Sequence, residues 1–218
     1  PPYVPVHPGP GHHEDTLGNF LTWHYLQNGT PHTYRPVNRL DRSTSGLMCV
    51  AKDGYTQELL KLQLHTQTFS RIYAACCHCF LPLVQHFVNT PIARQKDSVL
   101  KREIRPDGAP ALTYFQVLER RGDRALLALK LATGRTHQIR VHMASIGWPL
   151  LGDFLYGQEE PDVIGRTALD SWHLSFLHPV TGGKLEFTPP PPADFTALFP
   201  HYRYPDPATI DFGKDTSC

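Results

Sequence analysis

Leu17, Phe20, Leu21 and His24 recur at helical spacing between a Glu14-Asp15-Thr16 start signal and an Asn28-Gly29 stop, which predicts a first helix. Asp53 is placed to cap a second, with Leu59, Leu60 and Leu64 on or near one face. Between them, 30–37 reads as a loop, and the continuous apolar run 47–51 as a buried strand. A longer strand is expected over 69–80, with Tyr73 the aromatic among small neighbours, followed by an irregular, basic stretch over 83–110. Residues 111–118 and 125–132 read as strands paired around a turn at 120–123. Thr136 can cap a third helix that stops near Gly147, with Pro149 behind it. Ile139, Met143 and Ile146 mark its core face, so Arg140 points elsewhere. The strands 173–176 and 184–187 flank a turn as a last hairpin, and 189–192 closes the fold. Strands outnumber helices and mostly pair as sequence neighbours. The expected class is α+β, a mixed, largely antiparallel sheet flanked by helices and loops.

Composition narrows this picture. At 218 residues and 40% hydrophobic, the chain can bury one full core. No run approaches the roughly 20 apolar residues of a membrane span, and no secretory leader is visible. The odd cysteine count (49, 76, 77, 79 and 218) points to a reducing, cytoplasmic setting. Cys76-Cys77-His78-Cys79 lacks the usual two-residue gap of a zinc site, so buried structural cysteines are expected. A net charge of +1 does not announce a nucleic-acid binder. Its distribution says more: Arg94, Lys96, Lys101, Arg102 and Arg105 cluster, followed by Arg120, Arg121 and Arg124, and could meet a row of phosphates or form a solvated basic loop.

The candidate chemistry lies in Asn38-Arg39-Leu40-Asp41-Arg42-Ser43-Thr44-Ser45-Gly46. One carboxylate stands between two guanidinium groups, just before the apolar run, where a turn can aim it into a cleft. An ordinary Asp ionises near 3.9 and neighbouring arginines favour the anion, so Asp41 is expected to act as a charge or nucleophile and not as a proton donor. On these residues alone, an Asp–Arg pair closing a surface turn fits equally well.

Three ordered blocks tip that balance. Arg39 to Leu47 resembles the H-R-L-D-x-x-T-S-G-L signature of RluA-type pseudouridine synthases. Arg71-Ile72-Tyr73-Ala74-Ala75 is similar to the family's K-x-Y-x-A strand. Gly134-Arg135-Thr136-His137-Gln138-Ile139-Arg140, with Gly147-Trp148-Pro149-Leu150-Leu151-Gly152-Asp153 after it, is similar to the family's G-R-x-H-Q-[IL]-R block. The resemblance covers roughly 4–190 and implies a pseudouridine synthase-like fold, with a catalytic domain over 1–195 and a loosely held tail over 196–218. It further implies isomerisation of uridine to pseudouridine in structured RNA (rRNA or tRNA). That reaction gains and loses no atoms, so it requires no cofactor and no metal.

By the same resemblance Asp41 is the catalytic carboxylate, Arg140 its partner and Tyr73 the active-site tyrosine. Arg39 is a candidate to enter the RNA helix where the base leaves it, and Arg42, Arg135, His137 and Gln138 are candidate substrate-binding or organising residues. Asn38 stands where the family usually has His, and Arg71 where Lys is common; tuning is expected from both. The family's opening strand with its N-K-P-x-G turn and the helical RNA-binding domain of many relatives have no counterpart in these residues, although Val6-His7-Pro8-Gly9 matches the family's residues just after that turn. A monomer is expected, with the RNA recognised by the catalytic domain itself unless the helical domain was removed. Two alternatives compete: a catalytically silent RNA binder on the same scaffold, and a hydrolase pairing Asp41 with a second carboxylate such as Asp153 across a cleft.

Overall fold

A computed structural model describes residues 1–9, 11–64, 66, 68–79 and 86–212. In chain order the helices are α1 (Leu17–Gln27), α2 (Gly54–Gln63), α3 (Gln138–Ser145) and α4 (Ala193–Leu198). Three two-residue strands come first, β1 (Arg35–Pro36), β2 (Ser45–Gly46) and β3 (Val50–Ala51). They are followed by β4 (Ser70–His78), β5 (Phe87–Asn89), β6 (Ile92–Arg94), β7 (Arg102–Ile104), β8 (Leu112–Arg121), β9 (Arg124–Leu131), β10 (Leu169–Leu177) and β11 (Lys184–Phe187).

The main sheet runs β11-β10-β4-β9-β8-β5, antiparallel throughout, and β2 adds to β10 in parallel. The mixed, largely antiparallel α+β arrangement is therefore present. Its two central strands are buried on both faces, which period-2 alternation sorts into two cores. Tyr73, Ala75, Cys77, Leu127 and Leu129 face one core, where Ile139 and Met143 of α3 pack. Ile72, Ala74, Cys76, Leu126 and Ala128 face the other. Cys76 and Cys77 are thus free thiols in different cores.

Several expectations change. The apolar run 47–51 is not one strand: Val50–Ala51 pairs with β1, while Ser45–Gly46 pairs with β10. The strand expected over 69–80 spans 70–78, and Phe80 lies outside the described residues, as do 83–85 of the stretch expected to be irregular. The rest of that stretch holds β5 and the β6–β7 hairpin, whose short, charged strands carry little apolar signal. In α1, Phe20, Trp23 and Leu26 are exposed, because the helix seats itself by Gly18 against the Tyr34 ring.

The expected loose tail is the largest correction. The boundary at 195/196 falls inside α4, and Phe195 and Phe199 are buried in the second core. Tyr204 then packs edge-on to Trp172. Truncating a buried Phe costs about 3–5 kcal/mol, so this segment helps to hold the sheet's second face. Residues 213–218 lie outside the described ones.

Candidate active site

The turn carrying Asp41 is fastened to β10 and to the residues just before it. Thr44 N–H donates to the Asp41 carbonyl at 2.9 Å and closes the turn. Ser43 Oγ donates to Thr167 Oγ1 at 2.9 Å, and Ser45 Oγ donates to the carboxylate of Asp170. Burial raises the pKa of Asp170, against the hydrogen bond from Ser45. Gly46 sits at φ +106° with its α-carbon against the Ser171 backbone, so a Cβ has neither the room nor an easy backbone conformation. Leu47 N–H then donates to the Ser171 carbonyl at 2.8 Å. Upstream, Asn38 Oδ1 accepts from Cys49 N–H at 2.9 Å. The small hydroxyl residues and the glycine are fasteners; Asp41 is what they present.

Arg140 reaches this turn from α3. Its guanidinium is nearly fully buried, with Nη1 3.7 Å from Asp41 Oδ2. Its tighter partner is Asp153, which accepts from Nε at 2.7 Å and from Nη2 at 2.6 Å, a bidentate and directional pair. Asp153 Oδ1 also accepts from Leu155 N–H at 3.0 Å and Tyr156 N–H at 3.2 Å. Gly152, at φ +66° against the Arg166 carbonyl, sets the turn that aims Asp153 inward. Burial works against the Arg140 charge, but Asp153 and Asp41 outweigh it and hold the pKa above its ordinary value. Arg140 thus faces Asp41 but is gripped by Asp153, and the two acids do not meet across a cleft as the hydrolase alternative requires. Asp153 is fully buried behind the arginine and does not line the cavity.

A cavity of about 350 Å³ opens in front of Asp41, and Tyr73, Arg71, Arg39, Arg135, His137 and Arg140 are among its lining residues. That volume is within the range of small-molecule sites. Tyr73 comes from β4; burial raises its hydroxyl pKa, the nearby Arg71 guanidinium opposes this, and the Asp41 carboxylate adds to it. His137 places Nε2 4.0 Å from Asp41 Oδ2. Its backbone is left-handed at φ +57°, a conformation that costs a non-glycine residue of order 1–3 kcal/mol and collects at functional sites. Burial lowers its pKa, partly offset by Asp41 and reinforced by Arg140 and Arg102.

The remaining sequence candidates divide. Arg39 is exposed on the cavity wall, whereas the Arg42 side chain is exposed and outside the lining. Arg135 lines the cavity while its Nε donates to the Pro110 carbonyl at 3.0 Å. The Gln138 side chain is fully engaged inside the protein. Its Oε1 accepts from Thr133 Oγ1 and Arg135 N–H, and its Nε2 donates to the Leu112 carbonyl and Thr113 Oγ1. It braces the loop before α3; the cap expected from Thr136 is not made, and the helix starts at left-handed His137 with no side-chain cap.

Among the basic residues, Arg105 is tied to Asp107 and Glu103, and Arg120 lies over the Trp148 ring at 4.9 Å. Arg121 donates to the Leu198 carbonyl. Lys96 and Lys101 are exposed on the β6–β7 hairpin. Asp153 as the holder of Arg140, and Tyr156, are site residues that the sequence motifs do not point out. The signal was the glycine directly before an acid, with an aromatic three residues on: Gly152-Asp153-Phe154-Leu155-Tyr156.

A family model described as RNA pseudouridylate synthase matches residues 1–145. An uncharacterized RNA pseudouridine synthase of Bacillus subtilis (strain 168), YjbO, is 42% identical over 197 residues, covering 90% of this chain and 69% of that protein. Ribosomal large subunit pseudouridine synthase D of Pasteurella multocida (strain Pm70) is 37% identical over 206 residues, 88% of this chain and 63% of that protein. The solved structure of human RNA Pseudouridylate Synthase Domain Containing 1 superposes with a TM-score of 0.69 at 26% identity, over 88% of this chain and 78% of that one. The chain spans about two thirds of the length of the curated relatives it matches. With 145 of its 218 residues matched by one family model and 42% identity to a relative, the chain belongs to the RNA pseudouridylate synthase family.

Proposed function

We propose that this chain isomerises uridine to pseudouridine within structured RNA, with ribosomal RNA favoured over transfer RNA. The observation that carries this reading is one partly exposed carboxylate at a cavity wall, 3.7 Å from a buried guanidinium and sharing its cavity with a buried phenol. The relatives named for the large ribosomal subunit support the choice of RNA.

Asp41 acts on the target nucleotide as the catalytic carboxylate. The C1′–N1 glycosidic bond breaks, the uracil turns within the cavity, and a C1′–C5 bond forms as the C5 proton leaves and N1 gains one. Arg140, held by Asp153, orients Asp41 and keeps a positive charge beside it. Tyr73 stacks on the uracil and its hydroxyl lies close to the proton that leaves C5. Arg71, Arg39 and Arg135 offer cations to the backbone around the extruded nucleotide; extrusion costs a few kcal/mol, which such contacts offset. The protein works as a monomer in the cytoplasm, and no helix among the described residues is long and apolar enough to cross a membrane.

The test is pseudouridine mapping of ribosomal and transfer RNA from cells with the gene, without it, and with Asp41→Asn. One or more uridines are expected to lose modification in the last two strains alike. Full modification with Asp41→Asn would remove the carboxylate from the reaction.

A further inference from the structure

Behind His137 lies a chain of contacts that the reading of Asp41 does not use. His137 Nδ1 is 2.9 Å from the Tyr156 hydroxyl oxygen, and that same oxygen accepts the backbone N–H of Arg102 at 2.8 Å. Arg102 opens β7, the returning strand of the hairpin that carries Lys96 and Lys101. With one backbone N–H already on its oxygen, the phenol completes its bonding by giving its own proton to Nδ1, the acceptor in reach. An imidazole that accepts at Nδ1 carries its proton on Nε2, the nitrogen facing Asp41 Oδ2 at 4.0 Å.

We propose that Tyr156 is a positioning residue that locks His137 as the Nε2–H tautomer, aiming a neutral donor at Asp41 and the nucleotide space, and that Arg102 ties this lock to the basic hairpin. The proposal rests on the reading of Asp41 as the catalytic carboxylate. Three further observations support it. The left-handed backbone of His137 and the edge-on packing of its ring against Tyr156, with centroids 5.7 Å apart, leave the imidazole little choice of orientation. Burial, together with Arg140 from α3 and Arg102 from β7, opposes protonation of the ring more than Asp41 and Asp153 favour it. A neutral donor also suits a site that already has a fixed cation, since a second positive charge would compete with Arg140 for the same carboxylate. The 4.0 Å gap is of the kind that closes when substrate fills a cavity.

In 15N-histidine spectra of the intact chain, His137 should show a protonated Nε2 and a bare Nδ1. Tyr156→Phe should convert this to mixed tautomers or imidazolium. With substrate RNA, the same variant should lower kcat about tenfold with RNA affinity within twofold, and the acid limb of its rate profile should move to higher pH, because Nδ1 has lost its donor. His137→Gln, which can return an N–H near the Nε2 position, should keep more turnover than His137→Ala. A wild-type His137 protonated on Nδ1 overturns the proposal. So does a Tyr156→Phe variant with unchanged tautomer, whether its turnover is unchanged or falls in step with RNA affinity. Retained turnover in Asp41→Asn would sink the reading of Asp41 while leaving the tautomer measurement standing, so the two failures are distinguishable.

Discussion

Arg140 stands between two carboxylates that the fold treats in opposite ways. On one side Asp153 is fully buried, and each of its oxygens accepts from the guanidinium, with two backbone N–H groups added on Oδ1. On the other, Asp41 keeps 16% of its side chain exposed at the cavity wall and approaches the same guanidinium no closer than 3.7 Å. The first arrangement meets the lone pairs of its carboxylate and leaves nothing for a substrate. The second places a carboxylate in the field of a cation without tying it up. A buried ion pair contributes little net stability but fixes direction, and here the direction it fixes is that of the arginine. Asp153 therefore serves geometry, and Asp41 is free for chemistry.

The contrast is broken most severely at Asp41. Asp41→Asn should cost at least about 10⁴-fold in pseudouridine formation. Its unfolding free energy should stay within about 0.5 kcal/mol of the parent. A loss of stability as large as the loss of activity would make Asp41 structural and erase the distinction. Asp153→Ala should do the reverse. Removing the closer partner of a buried guanidinium destabilises by about 3–5 kcal/mol, which urea denaturation would read directly, and turnover should fall because Arg140 loses its aim.

Gly46→Ala acts on the fastening of the Asp41 turn. With φ +106° and the Ser171 backbone against it, the added methyl should cost about 1–3 kcal/mol and reduce turnover without touching a charged group. Ser43→Ala removes one buried hydrogen bond to Thr167 and should cost about 1 kcal/mol with little change in rate, a lower limit for what a single fastener contributes.

The gentlest probe is pH. Burial holds His137, His142 and His173 below the ordinary histidine value of 6.5. As pH drops below about 6.5 the unfolded chain takes up protons that the folded chain does not, so stability present above that value declines toward the lowered folded pKa values. Asp170 works in the opposite sense at lower pH, since its raised pKa makes the folded chain the better proton binder above 3.8. Thermal midpoints measured between about pH 7 and 5 should fall, and less so in His142→Asn.

Much of this was legible in the chain itself. The apolar run over 125–132 and the aromatic-bounded run from Phe69 announced the central strands, because a strand buried on both faces reads as a nearly continuous apolar segment. The Thr16 and Asp53 caps were also legible, since capping is a local matter of one side chain and one turn. The β6–β7 hairpin and α4 were not. The hairpin is short and charged, and α4 has only six residues, whose place is decided by Phe195 and Phe199 meeting a sheet face far away in sequence.

At the site, the pattern around Asp41, Tyr73 and Arg140 identified the candidates by residue type and order. It could not rank the two acids around Arg140, because nothing in Gly152-Asp153 tells a buried bidentate partner from an open one. It also left Gln138 open between binding substrate and organising the site, because its four hydrogen bonds come from residues on separate segments. Local spacing by itself determined which residues could carry charge, cap a helix or alternate on a strand, since those properties depend on neighbours within a few positions. Only the folded chain decided which carboxylate Arg140 grips and which it merely faces, because desolvation and bidentate geometry arise when segments distant in sequence are brought together.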